Sequence, residues 1–145
     1  MELTANELRI GNLVQIVKYW KDFYDENYFI PKEINLDDLR AINNFKDIAK
    51  PIPLTEEFLL ENGFKEKRYE YTIPISDCGL VTLTLIPHDE FPTDCSVCVS
   101  QEDGHNEDEI ENVFLSEIKY VHQLQNLYHC LCGNELQINS TKTTR

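Results

Sequence analysis

Apolar and polar residues alternate with a period of two through the middle of the chain. In "RYEYTIPIS", Tyr69, Tyr71, Ile73 and Ile75 fall on one side, with Glu70, Thr72 and Pro74 on the other. In "LVTLTLI", Val81, Leu83 and Leu85 oppose Thr82 and Thr84. Successive strand residues point to opposite faces, so these runs predict a hairpin with one buried face, turned by "DCG". "CSVCVS" predicts a third strand with Cys95, Val97 and Val99 inward. Nearer the start, "LRIGNLVQIVKYW" is rich in Val and Ile. It reads as a strand pair or a bent strand, with Gly11-Asn12 as turn or bulge. "ENYFIPKEIN" continues that sheet, and Pro31 marks an edge or a break.

Helical spacing takes over elsewhere. "LDDLRAINNF" predicts one or two turns. In "KPIPLTEEFLLENGFKE", Thr55 is an N-cap, Glu56 and Glu57 sit where the helix dipole favours anions, and Leu54 and Leu59 form a hydrophobic staple. Asn62-Gly63 stops that helix, and Phe64 folds back on it. "LSEIKYVHQLQNLYHCLCG" predicts a long amphipathic helix over 116–132. Its apolar stripe is Ile118, Val121, Leu124, Tyr128 and Leu131; Lys119, His122, Gln123, Asn126 and His129 form the polar face, and Gly133 caps it. "ELQI" predicts a last edge strand. The expected architecture is α+β: a mostly antiparallel sheet, a short central helix, and a long C-terminal helix packed on the sheet. No repeat or linker divides it, so residues 1–138 are expected to form one domain and 139–145 a disordered tail.

Charge changes the picture more than composition does. Of 26 acidic side chains, twelve lie in residues 69–118, and none of the 13 Lys and Arg does. Six carboxylates crowd "SQEDGHNEDEIEN" alone. Phosphates need Lys and Arg, so this distribution argues against direct nucleic-acid binding and against an anionic membrane. It favours a positively charged protein partner. The partner-binding candidates are Asp89, Glu90, Asp94, Glu102, Asp103, Glu107, Asp108, Glu109 and Glu111; the plain alternative is a solvated acidic loop. No run of about 18 apolar residues predicts a membrane span. "MELTANELRIGN" lacks the basic and apolar regions of a signal peptide. Five cysteines, an odd number, fit free thiols in a reducing compartment. A cytoplasmic location is expected.

Catalytic and metal chemistry find little support. Cys95 and Cys98, three apart on a strand, point to opposite faces, and Cys130 and Cys132, two apart on a helix, diverge by about 200°. Neither pair converges on zinc. His122 and His129 stand about 10 Å apart along a helix, too far for one acid–base pair. A calcium loop begun at Asp103 would need Gly where Asp108 stands. No nucleophile, P-loop or dinucleotide motif is present. No catalytic residue, metal ligand or cofactor is therefore assigned, and an enzyme is not expected. Trp20 with Tyr19, Phe23 and Tyr24 is either core or an exposed aromatic patch.

Three stretches, "ELRIGNLV", "KPIPLTEEFLLENGF" and "IKYVHQLQNLYHCLCGNEL", together resemble a family of small proteins encoded by Bacteroidetes phages and prophages. The resemblance covers about 40 of 145 residues, in the same order. The family's helix end reads more like "LYFALTGEEL", so Cys130 and Cys132 are departures. The resemblance implies a phage setting. By analogy with small acidic anti-defence proteins such as anti-CRISPR proteins, it implies an inhibitor presenting carboxylates to a basic nucleic-acid channel, that of an RNA-guided nuclease in the host cytosol. The rivals are a phage accessory or structural protein and a small metal-dependent enzyme.

Overall fold

Among the described residues, two antiparallel sheets and three α-helices make this an α+β fold. The computed structural model describes residues 3–20, 23–45, 48–76, 79–102 and 110–138, and gives side-chain positions for these except at 18–20, 23–28, 102 and 110–112. The described chain divides into two compact units. The first takes Met1–Ile52 and Tyr120–Asn126, the second Pro53–Lys119 and Leu127–Asn139. The expected tail, 139–145, and the aromatic side chains at 19, 20, 23 and 24 lie outside the described residues.

In the first unit, β1 (Leu13–Trp20), β2 (Phe23–Glu33) and β3 (Ala49–Lys50) pair in the order β2-β1-β3. Pro31 sits on β2, an edge strand, where its missing N–H leaves one side of the ladder intact. "RIGN" is a turn: Asn12 N donates to Arg9 O at 3.1 Å, and Gly11 takes φ +95°, a conformation side chains resist. Helix α1 (Leu36–Asn44) starts at a capping box, in which Asn35 accepts from Asp38 N and Asp38 accepts from Asn35 N, both at 2.9 Å. Its Ile42 joins Leu3, Val14, Ile16, Ile34, Ile48 and Ala49 in the unit's core.

The second unit holds a five-stranded sheet in sequential order: β4 (Lys65–Lys67), β5 (Glu70–Pro74), β6 (Val81–Pro87), β7 (Cys95–Glu102) and β8 (Ile110–Ile118). Tyr71, Ile73, Leu83, Leu85, Cys95 and Val97 share one face and are all buried. Helix α2 (Glu56–Glu61) matches its sequence signals. The Thr55 hydroxyl accepts from Phe58 N at 3.1 Å, Gly63 has φ +96°, and Phe64 N returns to Leu59 O at 3.0 Å. Leu54 and Leu59, the staple pair, are both fully buried.

Four expectations are corrected. The C-terminal helix α3 is shorter than predicted, Val121–Cys132, and begins in the first unit and ends in the second. Residues 110–118, part of which was assigned to it, form β8 instead, with Ile118 paired to Cys95. The helix starts where Gln123 Oε1 reaches back to accept from Tyr120 N at 3.1 Å, the N3 half of a capping box. No strand forms at "ELQI", although Leu136 is buried. Tyr69 leaves the strand face for a turn and is 85% exposed. On β7, Cys95 and Val97 are buried on the expected face and Val99 is half-buried there, but Cys98 and Ser100 are buried as well, on the opposite face beside Thr84. The register with β8 slips between Val97 and Cys98, leaving Leu115 as an extra residue on β8.

Candidate functional site

The β4–β5 hairpin closes through two residues, Arg68 and Tyr69, between the paired Lys67 and Glu70. A two-residue hairpin turn of this kind needs positive φ at both positions and favours Asn-Gly. Here Arg68 has φ 53° and Tyr69 φ 64°. Holding bulky residues in this region costs on the order of 1 kcal/mol each, and the result is a tyrosine 85% exposed at the tip of the hairpin. That ring stands at a cleft of about 760 Å³ within the second unit, lined by Thr55, Glu56, Glu57, Glu66, Tyr69, Tyr71, Pro87, His88, Asp89, Glu90 and Phe91.

Three elements meet there for local reasons. The first turn of α2 supplies Glu56 and Glu57, placed by the Thr55 cap. The hairpin supplies Glu66, Tyr69 and Tyr71. The segment after β6 supplies His88 to Phe91, and His88 N donates to Asp94 O at 3.0 Å, closing that loop. Tyr71 and Phe91 pack edge-to-face with ring centroids 5.7 Å apart. The Tyr71 phenol is pushed up to about 12 by burial and by its hydrogen bond to Glu56, so it stays a donor and holds that carboxylate. Five carboxylates and three aromatic rings thus line the cleft, with no Lys or Arg. Among the described residues, no three His, Cys, Asp or Glu groups gather closely enough to hold a metal ion.

Beside the cleft, His88 Nε2 lies 2.7 Å from Ser96 Oγ and 3.6 Å from Glu117 Oε1. A catalytic relay needs the carboxylate on one ring nitrogen and the hydroxyl on the other. Both partners here meet the same nitrogen, so no relay is formed. Cys95 and Cys98 are buried, the first with its thiol pushed up to about 11 by burial and by Asp94, the second raised by burial and by Glu70. Both stay protonated and unreactive.

The structure separates the sequence-derived candidates. Asp89 and Glu90 are exposed and line the cleft; Asp94 is exposed outside its lining. Glu102 and Glu111 occupy the ends of β7 and β8, their side chains outside the described residues, as are Asp103, Glu107, Asp108 and Glu109 entirely. Glu56, Glu57, Glu66, Tyr69, Tyr71 and Phe91 were not singled out as site residues. The Thr55 cap and the acidic window free of Lys and Arg were the available signals for part of them, but not for their convergence.

The expected polar helix face is structural in its first half. Asn126 Oδ1 accepts from Arg9 Nε at 3.0 Å and from Asn12 Nδ2 at 2.8 Å, and Asn126 Nδ2 donates to Glu7 O at 3.1 Å. Gln125 Oε1 accepts from Leu13 N at 2.7 Å. His122 is 1% exposed rather than on the surface. "ELRIGNL" and "HQLQN" are therefore two halves of one polar clamp in the first unit. Comparison with known protein families, curated proteins and solved structures gives no match to this chain.

Proposed function

We propose that the chain is a binding protein without catalytic activity, and that the cleft docks Lys and Arg side chains of a basic protein partner. The observation that carries this is the cleft's composition: five carboxylates around three aromatic rings, with no Lys or Arg among its lining residues. Guanidinium and ammonium groups gain both from carboxylates and from aromatic faces. The net charge of −13 adds long-range attraction that speeds encounter. The partner class that fits this chemistry is a nucleic-acid-binding effector, with carboxylates standing where phosphates would lie. In a phage setting, an RNA-guided nuclease of the host would be such a target.

The test is a variant carrying Glu57→Gln, Asp89→Asn and Glu90→Gln, with Glu56 kept because it accepts the Tyr71 hydrogen bond. It is expected to melt at or slightly above the parent temperature, since like charges are removed. Its association with the effector should slow by about tenfold or more at low salt. A second variant neutralising Glu102, Asp103, Glu107, Asp108, Glu109 and Glu111 separates the acidic stretch from the cleft. If both variants inhibit nucleic-acid binding by the effector as well as the parent does, the carboxylates only solvate the surface and the docking reading fails.

A further inference from the structure

The two edges of the five-stranded sheet differ. β4 is three residues long, and its Lys65, Glu66 and Lys67 are all exposed; short, charged strands of this kind blunt an edge against pairing. β8 runs for nine residues, and no strand among the described residues pairs with its outer side. Its centre exposes Val113 at 58%, Phe114 at 60% and Leu115 at 38%. Such an edge carries a row of unpaired N–H and C=O groups beside apolar side chains, which together form the acceptor for an added strand.

We infer that β8 is a strand-addition site for an extended segment of a protein partner, apolar at its centre and basic at its ends. The basic ends follow from charge. Glu111 and Glu117 flank the apolar triplet along β8, and no Lys or Arg occurs anywhere from residue 69 to 118. The Glu117 side chain is 54% exposed, and its cross-strand position relative to Cys98 and Ser96 sets it on the same face as Phe114. A strand laid against β8 would place an apolar residue beside Phe114 and meet Glu117 further along the same face.

A second copy of the chain fits less well. In an antiparallel pairing centred on Phe114, Glu111 of each copy stands opposite Glu117 of the other. Like charges directly opposite destabilise a strand pair, and each copy brings a net charge of −13. This inference stands apart from the cleft and does not depend on it.

The probe is a short capped peptide with β-branched residues in the middle and lysines at both ends, added to the full chain. It is expected to bind in a salt-sensitive manner and to slow amide hydrogen exchange at Val113–Ser116. Phe114→Lys and, separately, Val113→Lys should each weaken it by about tenfold or more. Both side chains are more than half exposed, so melting temperature should hold. The Glu57, Asp89 and Glu90 cleft variant should bind the peptide as the parent does, which separates failure of this inference from failure of the docking function. A peptide of the same charge with proline at its centre cannot donate to the ladder and should lose binding. Equal binding by the proline peptide, or protection mapped to the cleft rather than to β8, overturns the inference. A dimer of the chain that Phe114→Lys dissolves also overturns it, by making the second copy the occupant.

Discussion

A buried imidazole without hydrogen-bond partners holds its place only while it is neutral. His122 has neither ring nitrogen bonded among the described residues and stacks against Tyr120 at 5.9 Å. Burial lowers its pKa from the ordinary 6.5, with Glu7 opposing more weakly. Above about pH 6.5 both folded and unfolded chains keep the ring neutral, and stability is full. As pH falls below that value the unfolded chain takes up a proton that the folded chain resists, and stability drops. His122→Leu is expected to flatten this acid limb of the urea midpoint and to be neutral or stabilising at neutral pH. A parent-like acid limb in the variant would place the titrating group elsewhere. Sequence periodicity alone assigned His122 to the solvent face. One step around a helix is about 100°, and only the partners of the helix decide which neighbour of Val121 is covered. Tyr69 was misplaced for a related reason: alternation continues through a two-residue turn, and nothing in "KRYE" announces positive φ.

At the scale of elements, α3 shows how a correct period can carry a wrong phase. Val121 and Leu124 are buried as expected, but so are His122 and Gln125, while Leu131 is 37% exposed. Leu124→Ala should therefore cost about 2–5 kcal/mol and Leu131→Ala about 1 kcal/mol or less, measured by denaturant unfolding. Equal costs would restore the predicted phase. The β4–β5 turn gives the complementary case. Replacing Arg68-Tyr69 with Asn-Gly should stabilise by roughly 0.5–1 kcal/mol, since those residues accept the required φ, yet weaken partner binding by removing an exposed ring from the cleft. Gain in both properties would show that Tyr69 is not part of the docking surface. Helix α2, by contrast, was legible to its ends, because cap, staple and stop are all local and agree. β8 was not. Its "VFL" run has no alternation, and the following "LSEI" imitates a helix start with a capping serine.

For the whole molecule, charge was the feature most readable from sequence, since counting needs no geometry. What counting could not show is that described carboxylates converge with aromatic rings from three separated segments into one cleft. No helix among the described residues is long and apolar enough to cross a membrane. The charge asymmetry has a direct consequence for binding. Exposed charges are screened over about 8 Å at physiological ionic strength, so association with a basic partner should slow steeply as salt rises, while dissociation changes less. Stopped-flow rates across a salt series check this; a salt-independent association rate would count against electrostatic docking.

The polar clamp between "RIGNL" and "QN" also fixes an order of events at the ribosome. The first unit draws on Tyr120–Asn126 for its completion, yet its other described residues end at Ile52. During synthesis, at about 5–20 residues per second, the N-terminal strands emerge several seconds before Gln125 and Asn126 exist to receive Leu13 N, Asn12 and Arg9. The second unit lacks only its Leu127–Asn139 portion by the time Lys119 is made. The nascent chain must therefore leave the Arg9 and Asn12 side chains and Leu13 N to water until Gln125 and Asn126 have been translated, although β1, β2 and β3 can already pair.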